Sequence, residues 1–228
     1  MKTLLVFICF AVSISFSQNA NFRYDFYNDS EIYNSAVNIS ELSSLWLSDQ
    51  ITIGQNDNQR LFVKFGYSIF PKKINNIIWR LPDFILGLRV SNNLLMSGRF
   101  YGFHLDNDAP QIIGSGLHYG FGQNNFWMVS FQKTALNGLN DFRLVSNSLN
   151  IERYFSKLFF EFYLGIGSNI YKHTSYYYST SLPTRIDGKI KYISLKLLFP
   201  YSQLKIGLAS KLSSNLLLIQ IFISKGFL

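Results

Sequence analysis

Six charged residues stand singly in segments that are otherwise apolar, glycine or small: Lys64, Arg89, Arg99, Glu161, Lys196 and Lys205. Side chains of a strand point alternately to its two faces. Lys64, Arg89, Lys196 and Lys205 therefore share with Glu161 the face opposite their Leu, Ile, Val and Phe neighbours, and Arg99 joins them although its run holds no single clean phase. Ionised groups enclosed on one face can line a path or site that favours an anionic group. They can also neutralise one another as ion pairs that fill and rigidify a narrow interior. Spacing alone leaves both readings open.

Other chemistry-bearing residues are sparse. His104, His118 and His173 lie on separate runs and no cysteine follows Cys9, so no metal site is expected. A hydrolytic triad needs a hydroxyl beside a histidine and an acid. Ser115, His118 and Glu161 are the candidates, but parity turns Ser115 away from His118. Gly114-x-Gly116 and Gly165-x-Gly167 do not lie between a strand and a following helix, so they are not phosphate loops. No cofactor, no catalytic residue and no enzymatic activity are expected. The basic residues are spread singly and form no contiguous patch, so no nucleic-acid partner is expected either. Tyr176-Tyr177-Tyr178 sits in the longest interruption of the pattern, as a contact surface for a partner or as a packed loop lid.

The elements that must position these residues are strands. Residues 61–70, 84–91, 158–169, 203–209 and 217–224 alternate apolar with polar or small side chains, and weaker runs at 94–105, 111–122, 125–134, 140–151 and 188–199 bring the expected number to ten. Connections after odd-numbered strands (71–82, 106–110, 135–139, 171–187) are mostly longer than those after even ones (92–93, 123–124, 152–156, 200–202). In a membrane barrel, short turns are periplasmic and long loops external. That parity puts both chain ends on the periplasmic side. Residues 18–58 differ in texture: Phe22, Tyr24 and Phe26 alternate like an extra strand, and Ser40–Ser48 suits a short helix capped by Ser40 that buries Leu42, Leu45 and Trp46. The region is read as a periplasmic extension or a lumen plug, and as a wall hairpin it would make twelve strands in place of ten.

The first residues resemble an export signal, with Lys2, an apolar stretch from Leu4 to Val12, and a small-x-small site at Ser15-Phe16-Ser17. Removing residues 1–17 takes away Lys2 and Cys9, leaving 20 basic against 13 acidic groups, a formal charge of +7. Charged residues are 15% of the chain and aromatics 17%, against about 25% charged in a soluble domain. The less apolar face carries glycine at 66, 87, 114, 116, 120, 165, 167 and 207 instead of dense Lys and Glu. Glycine weakens a strand facing water but suits the inside of a tilted barrel. The expected fold is an all-β, closed antiparallel transmembrane β-barrel of about 10 strands (8 or 12 as alternatives), with domains 1–17, 18–58 and 59–228. Tyr67, Trp79, Trp127, Phe199, Tyr201 and Phe227 are expected to form aromatic girdles.

The last segment, LLLIQIFISKGFL from Leu216 to Leu228, resembles the closing strand of bacterial outer-membrane β-barrel proteins, although those usually end on the aromatic itself. The resemblance implies outer-membrane localisation, contact with outer-membrane lipids, and recognition of residues 216–228 by the barrel assembly machinery. The function expected is non-enzymatic: a structural element, a narrow channel, or a membrane anchor for a periplasmic or surface protein partner. A barrel enzyme acting on lipid or peptide, and a soluble lipocalin-like binder, are the alternatives.

Overall fold

Alternation with a period of two, broken by Gly, Asn and Ser, folds here as successive hairpins that close on themselves. The computed structural model describes residues 19–24, 31–52, 59–74, 77–105, 108–123, 126–156, 160–201 and 204–227, so the signal assigned to residues 1–17 lies outside the described residues. Ten antiparallel strands form a closed barrel: β1 (Leu61–Ile74), β2 (Ile77–Arg89), β3 (Leu94–Gly102), β4 (Gln111–Phe121), β5 (Trp127–Asn137), β6 (Phe142–Ser156), β7 (Glu161–Ser175), β8 (Arg185–Tyr201), β9 (Leu204–Ser213) and β10 (Leu217–Phe227). Each pairs with its sequence neighbour, and β10 returns to β1 with Phe227 opposite Leu61. An even number of strands puts the start of β1 and the end of β10 at one rim, called here the near rim.

The two faces separate as the sequence analysis expects. On β10, Leu217, Ile219 and Ile221 point out, while Leu218, Gln220, Phe222 and Ser224 point in and are buried. On β7, Leu164, Ile166 and Ile170 are exposed on the outside, and Tyr163, Asn169 and His173 are buried inside. The inward glycines make room for rings. A Cβ on Gly207 would overlap the Phe222 ring, and one on Gly167 would overlap Tyr192.

Three expectations need correction. Residues 71–82 are not a loop: β1 and β2 continue to Ile74 opposite Ile77, past an irregularity after Phe70, because the strand carries on through the Pro71-Lys72-Lys73 stretch that reads as turn chemistry. The longest connections are those after β3 and β7, both at the far rim. Residues 21–24 add no strand to the wall; only Asn19 forms a bridge, to Arg80. Asn19 lies well up the wall from the near rim, so the described start of the chain is not beside the C-terminal end of β10. Asp25 and Phe26 lie outside the described residues.

Among the described residues one helix, α1 (Ile32–Leu47), stands inside the barrel. Ile32, Ala36, Ile39, Leu42, Leu45 and Trp46 are buried in a core with inward residues from all sides of the wall, among them Phe70, Trp79, Ile112, Leu136, Phe142 and Leu218. The helix starts eight residues before the expected Ser40 cap. Ser40 is internal because its hydroxyl donates to the Ala36 carbonyl at 2.6 Å, the back-bond that lets a serine sit within a helix. Below the helix the chain descends through Asp49 and Gln50 to Ile51, which packs with Phe62, Ile85 and Leu95 towards the near rim.

The wall is incomplete at one place. β2 pairs with β3 only from Leu86 opposite Gly98 to Arg89 opposite Leu95, although both strands run on towards the far rim. Pro82 offers no N–H to that ladder. Its carbonyl accepts from Trp46 Nε1 at 3.2 Å and from the Tyr101 hydroxyl at 3.1 Å. Two residues higher, Arg80 exchanges backbone hydrogen bonds with Asn19, at 2.7 and 3.1 Å. The segment before the first strand thus closes a seam that the strands leave open.

Substituting Gly207→Val should force valine into the Phe222 ring and destabilise the barrel by about 1–3 kcal/mol, the usual size of overpacking. Gly98→Ala, where a Cβ meets open space, should change stability by less than about 0.5 kcal/mol. Urea midpoints of tryptophan fluorescence in detergent check both.

Candidate functional site

The interior between the helix and the near rim holds a network of ions and amides whose members come from the plug and from strands all around the wall. Lys64 on β1 donates to Asp49 Oδ2 at 2.6 Å, to the Gln50 carbonyl at 2.9 Å and to Gln220 Oε1 at 3.1 Å. Gln220 on β10 donates in turn to Asp49 Oδ2 at 3.0 Å and to the Ser68 hydroxyl at 3.2 Å. Arg99 on β3 reaches across the seam: its guanidinium lies 3.5 Å from Asp83 Oδ2 and donates to the Leu47 carbonyl at 2.9 Å and to the Asp49 carbonyl. On the other side of the lumen, Lys196 of β8 pairs with Glu152 of β6 at 2.7 Å, and Asn150 donates to both Glu152 and Gln50. Lys211 of β9 donates to Ser48 Oγ at 2.7 Å. All these ions are buried. Among the described residues, four cations (Lys64, Arg99, Lys196, Lys211) thus face three carboxylates (Asp49, Asp83, Glu152) at the heart of the barrel.

Removing two ions from water costs more than a loose pair returns, so such pairs persist only with good geometry and further hydrogen bonds. The plug supplies both. Asp49 lies outside the strands. Burial pushes its carboxyl up, yet the ammonium groups of Lys64 and Lys211 and the Arg99 guanidinium hold it well below the ordinary carboxylate range.

The sequence-derived candidates divide by height. Lys64, Arg99 and Lys196 belong to the network. Glu161 and Lys205 form a separate, partly buried pair at the near rim, 3.1 Å apart. Arg89 also lies at that rim, over the Phe62 ring at 5.3 Å. It lines a cavity of about 80 Å³ between Ile51, Leu95, His118, Glu152 and Tyr154, far smaller than the roughly 300–1,000 Å³ of a small-molecule site. Asp49, Asp83, Glu152 and Lys211 are network members that sequence reasoning missed. Asp83, Glu152 and Lys211 fall where the expected strands stopped short, and the strands' own parity, carried one or two residues further, would have placed them inside. Asp49 carried no signal of its own.

Among the expected girdle residues, Trp127, Phe199, Tyr201 and Phe227 are exposed on the outside at the near rim, where Phe121 stacks on Trp127 and Phe155 on Phe162. Tyr67 faces outward at mid-height, opposite Ile221 and Pro82. Trp79 is a correction: it points inward, fully buried, edge-on to Phe22 at 4.8 Å. Its strand starts at Ile77, seven residues before the expected start at 84, and on that extension Trp79, Leu81 and Asp83 face the core.

Both interior histidines are held between hydroxyls. His118 contacts Ser97 Oγ and Ser130 Oγ, each at 2.8 Å. His173 contacts Ser40 Oγ at 2.7 Å and the Tyr24 hydroxyl at 3.2 Å, with Phe142 stacked on the ring at 4.6 Å. A neutral imidazole donates from one nitrogen and accepts at the other, so these contacts fix rings in a core. Ser115 points outward, as parity required. In the connection after β7, Tyr177 packs edge-on against Tyr24, while Tyr178 is 98% exposed.

No protein-family model and no curated sequence matches the chain. Solved structures with a similar fold include the Yersinia pestis outer membrane protein Ail in a phospholipid nanodisc (12% identity, TM-score 0.38, covering 75% of this chain and 100% of that one). They also include the KdgM porin in complex with disordered oligogalacturonate (9%, 0.41, covering 73% and 99%). A third is the N-terminal β-barrel domain of Pseudomonas aeruginosa OprF (7%, 0.35, covering 75% and 100%). All three are bacterial outer-membrane β-barrel proteins.

Asp49→Asn should leave Lys64 and Lys211 facing an uncharged plug and cost about 3–5 kcal/mol, with much of that recovered when Lys64→Met is added. A double-mutant cycle of unfolding midpoints measures the coupling. Acid should act the same way. A carboxylate held below its unfolded value contributes stability above about pH 4, and that contribution is lost as pH falls through its folded value. The difference in unfolding midpoint between the parent chain and Asp49→Asn should therefore hold from neutral pH down to about pH 4 and narrow below it.

Proposed function

We propose that the chain is an integral barrel of the bacterial outer membrane with an occluded lumen, acting as a non-enzymatic structural element or anchor and not as an open channel. The observation that carries this reading is the filled interior: α1 and the Asp49–Lys64 network occupy the space through which ions would pass. The outward faces support the membrane setting. Leu, Ile and Phe side chains lie exposed around the wall with aromatic pairs at the near rim, an arrangement that costs free energy in water and gains it against acyl chains. The near rim is then periplasmic, β10 engages the assembly machinery through residues 216–228, and the far-rim connections, with exposed Tyr176 and Tyr178, face a surface partner.

Purified protein should show heat-modifiable gel mobility and float with lipid vesicles after an alkaline wash; a freely soluble, unshifted protein would refute the membrane reading. In planar bilayers the intact chain should give no discrete current steps at about 1 M salt. Regular single-channel steps would show that the lumen conducts and the plug does not seal it.

A further inference from the structure

Outside the barrel, the apolar band is interrupted by lysines on one sector. Along β8 the outward positions read Phe199, Leu197, Leu195 and Ile193 and then change to Lys191 and Lys189. On β7 beside it, Phe162, Leu164 and Ile166 are followed by Ser168, opposite Lys191, then by exposed Ile170, opposite Lys189, and by Lys172. Lys133 and Arg143, on β5 and β6, face outward at or above the same level. β9 stops at Ser213, opposite Tyr192, while β8 runs on to Arg185, so the wall steps down there. The step leaves an outward groove of about 600 Å³. Exposed Ile166, Ile193 and Leu212 form its apolar part, and Lys189, Lys191 and Ser168 its polar end. The Ser168 hydroxyl is buried there without a hydrogen-bond partner. The nearby carboxylate, Asp187, is already held by Arg185 at 2.7 Å.

From this juxtaposition we infer that the groove is a binding site for one phosphate-bearing membrane lipid of the far-rim leaflet. An acyl chain lies along Ile166, Ile193 and Leu212, and the headgroup phosphate takes Lys189 and Lys191, with Ser168 Oγ donating to an ester oxygen. The two lysines are two residues apart on one face of a strand, about 6.6 Å by the usual rise, a spacing that lets both ammonium groups converge on one phosphate. An apolar groove alone would accept any chain end, or a second barrel. The cations at its upper end select the anionic headgroup, as basic residues at a membrane surface do. This inference rests on the membrane reading above and names a partner for it.

Native mass spectrometry of the full chain released from neutral detergent tests it, with dimyristoyl phosphatidic acid as the probe and dimyristoyl phosphatidylcholine and inorganic phosphate as comparisons. One phosphatidic acid should be retained at roughly 10-fold lower concentration than phosphatidylcholine. The double variant Lys189→Gln/Lys191→Gln should lose that preference, Lys189→Arg/Lys191→Arg should keep it, and Lys225→Gln at the near rim should leave it unchanged. Millimolar inorganic phosphate should not compete. Equal retention of both lipids, a preference that survives the double Gln variant, displacement by free phosphate alone, or a lipid-independent dimer in place of the adduct would each overturn the site. Vesicle flotation on the same preparation separates the two claims: a chain that floats but shows no preference loses only this site, whereas one that fails to float loses the membrane reading as well.

Discussion

A sheet holds together only where each buried backbone N–H and C=O in the wall finds its partner within the protein. Closure of ten strands, with β10 returning to β1, meets that demand nearly everywhere. It also creates the second problem this molecule solves. A closed ring of this size encloses more room than inward side chains of moderate size fill, and the space must hold either water or more protein. Here the segment preceding the first strand goes in, and it brings its own hydrogen-bonding groups: Ser40, Ser44, Ser48, Asp49 and Gln50 all meet lumen residues or carry the helix's own bonds.

The interior therefore works as two layers of different chemistry. Towards the far rim, α1 and residues 22–24 build an aromatic and aliphatic core against Phe70, Trp79 and Phe142. Below it, the four cations and three carboxylates named above form the polar layer, joined across the lumen through Asp49, Gln50 and Asn150. Buried ion pairs add little net stability relative to a well-packed apolar core, but breaking one partner is costly. That asymmetry favours a single register for the plug: a shift of one residue would take Asp49 from Lys64 and leave several charges unmatched at once.

How much of this was legible in the sequence follows from the same physics. Alternation is a local property, so all ten strands, their order and the inward direction of Lys64, Arg89, Glu161, Lys196 and Lys205 could be read residue by residue, whereas Arg99 lies in a run with no single clean phase. Strand ends were harder, because Pro71-Lys72-Lys73 and the residues around Glu152 have the composition of turns and are held in the ladder only by their neighbours across it. Trp79, Asp83 and Lys211 were misread or missed for that reason. The partners of the inward charges were illegible altogether: Asp49 and Lys64 are only 15 residues apart in sequence, but a helix end and a closed barrel are needed to bring them together. Ser40 shows the converse, a good capping residue whose back-bond to Ala36 and contact with His173 keep it within a longer helix.

The seam between β2 and β3 gives the N-terminal segment a second place in the structure, in the wall as well as in the lumen. Without Asn19 along Arg80, and Trp46 on the Pro82 carbonyl, that stretch of β2 would present an unfinished edge to its surroundings. The segment that precedes the first strand therefore completes hydrogen bonding that the strands alone leave open, which makes it a keystone of the ring and not only a stopper within it.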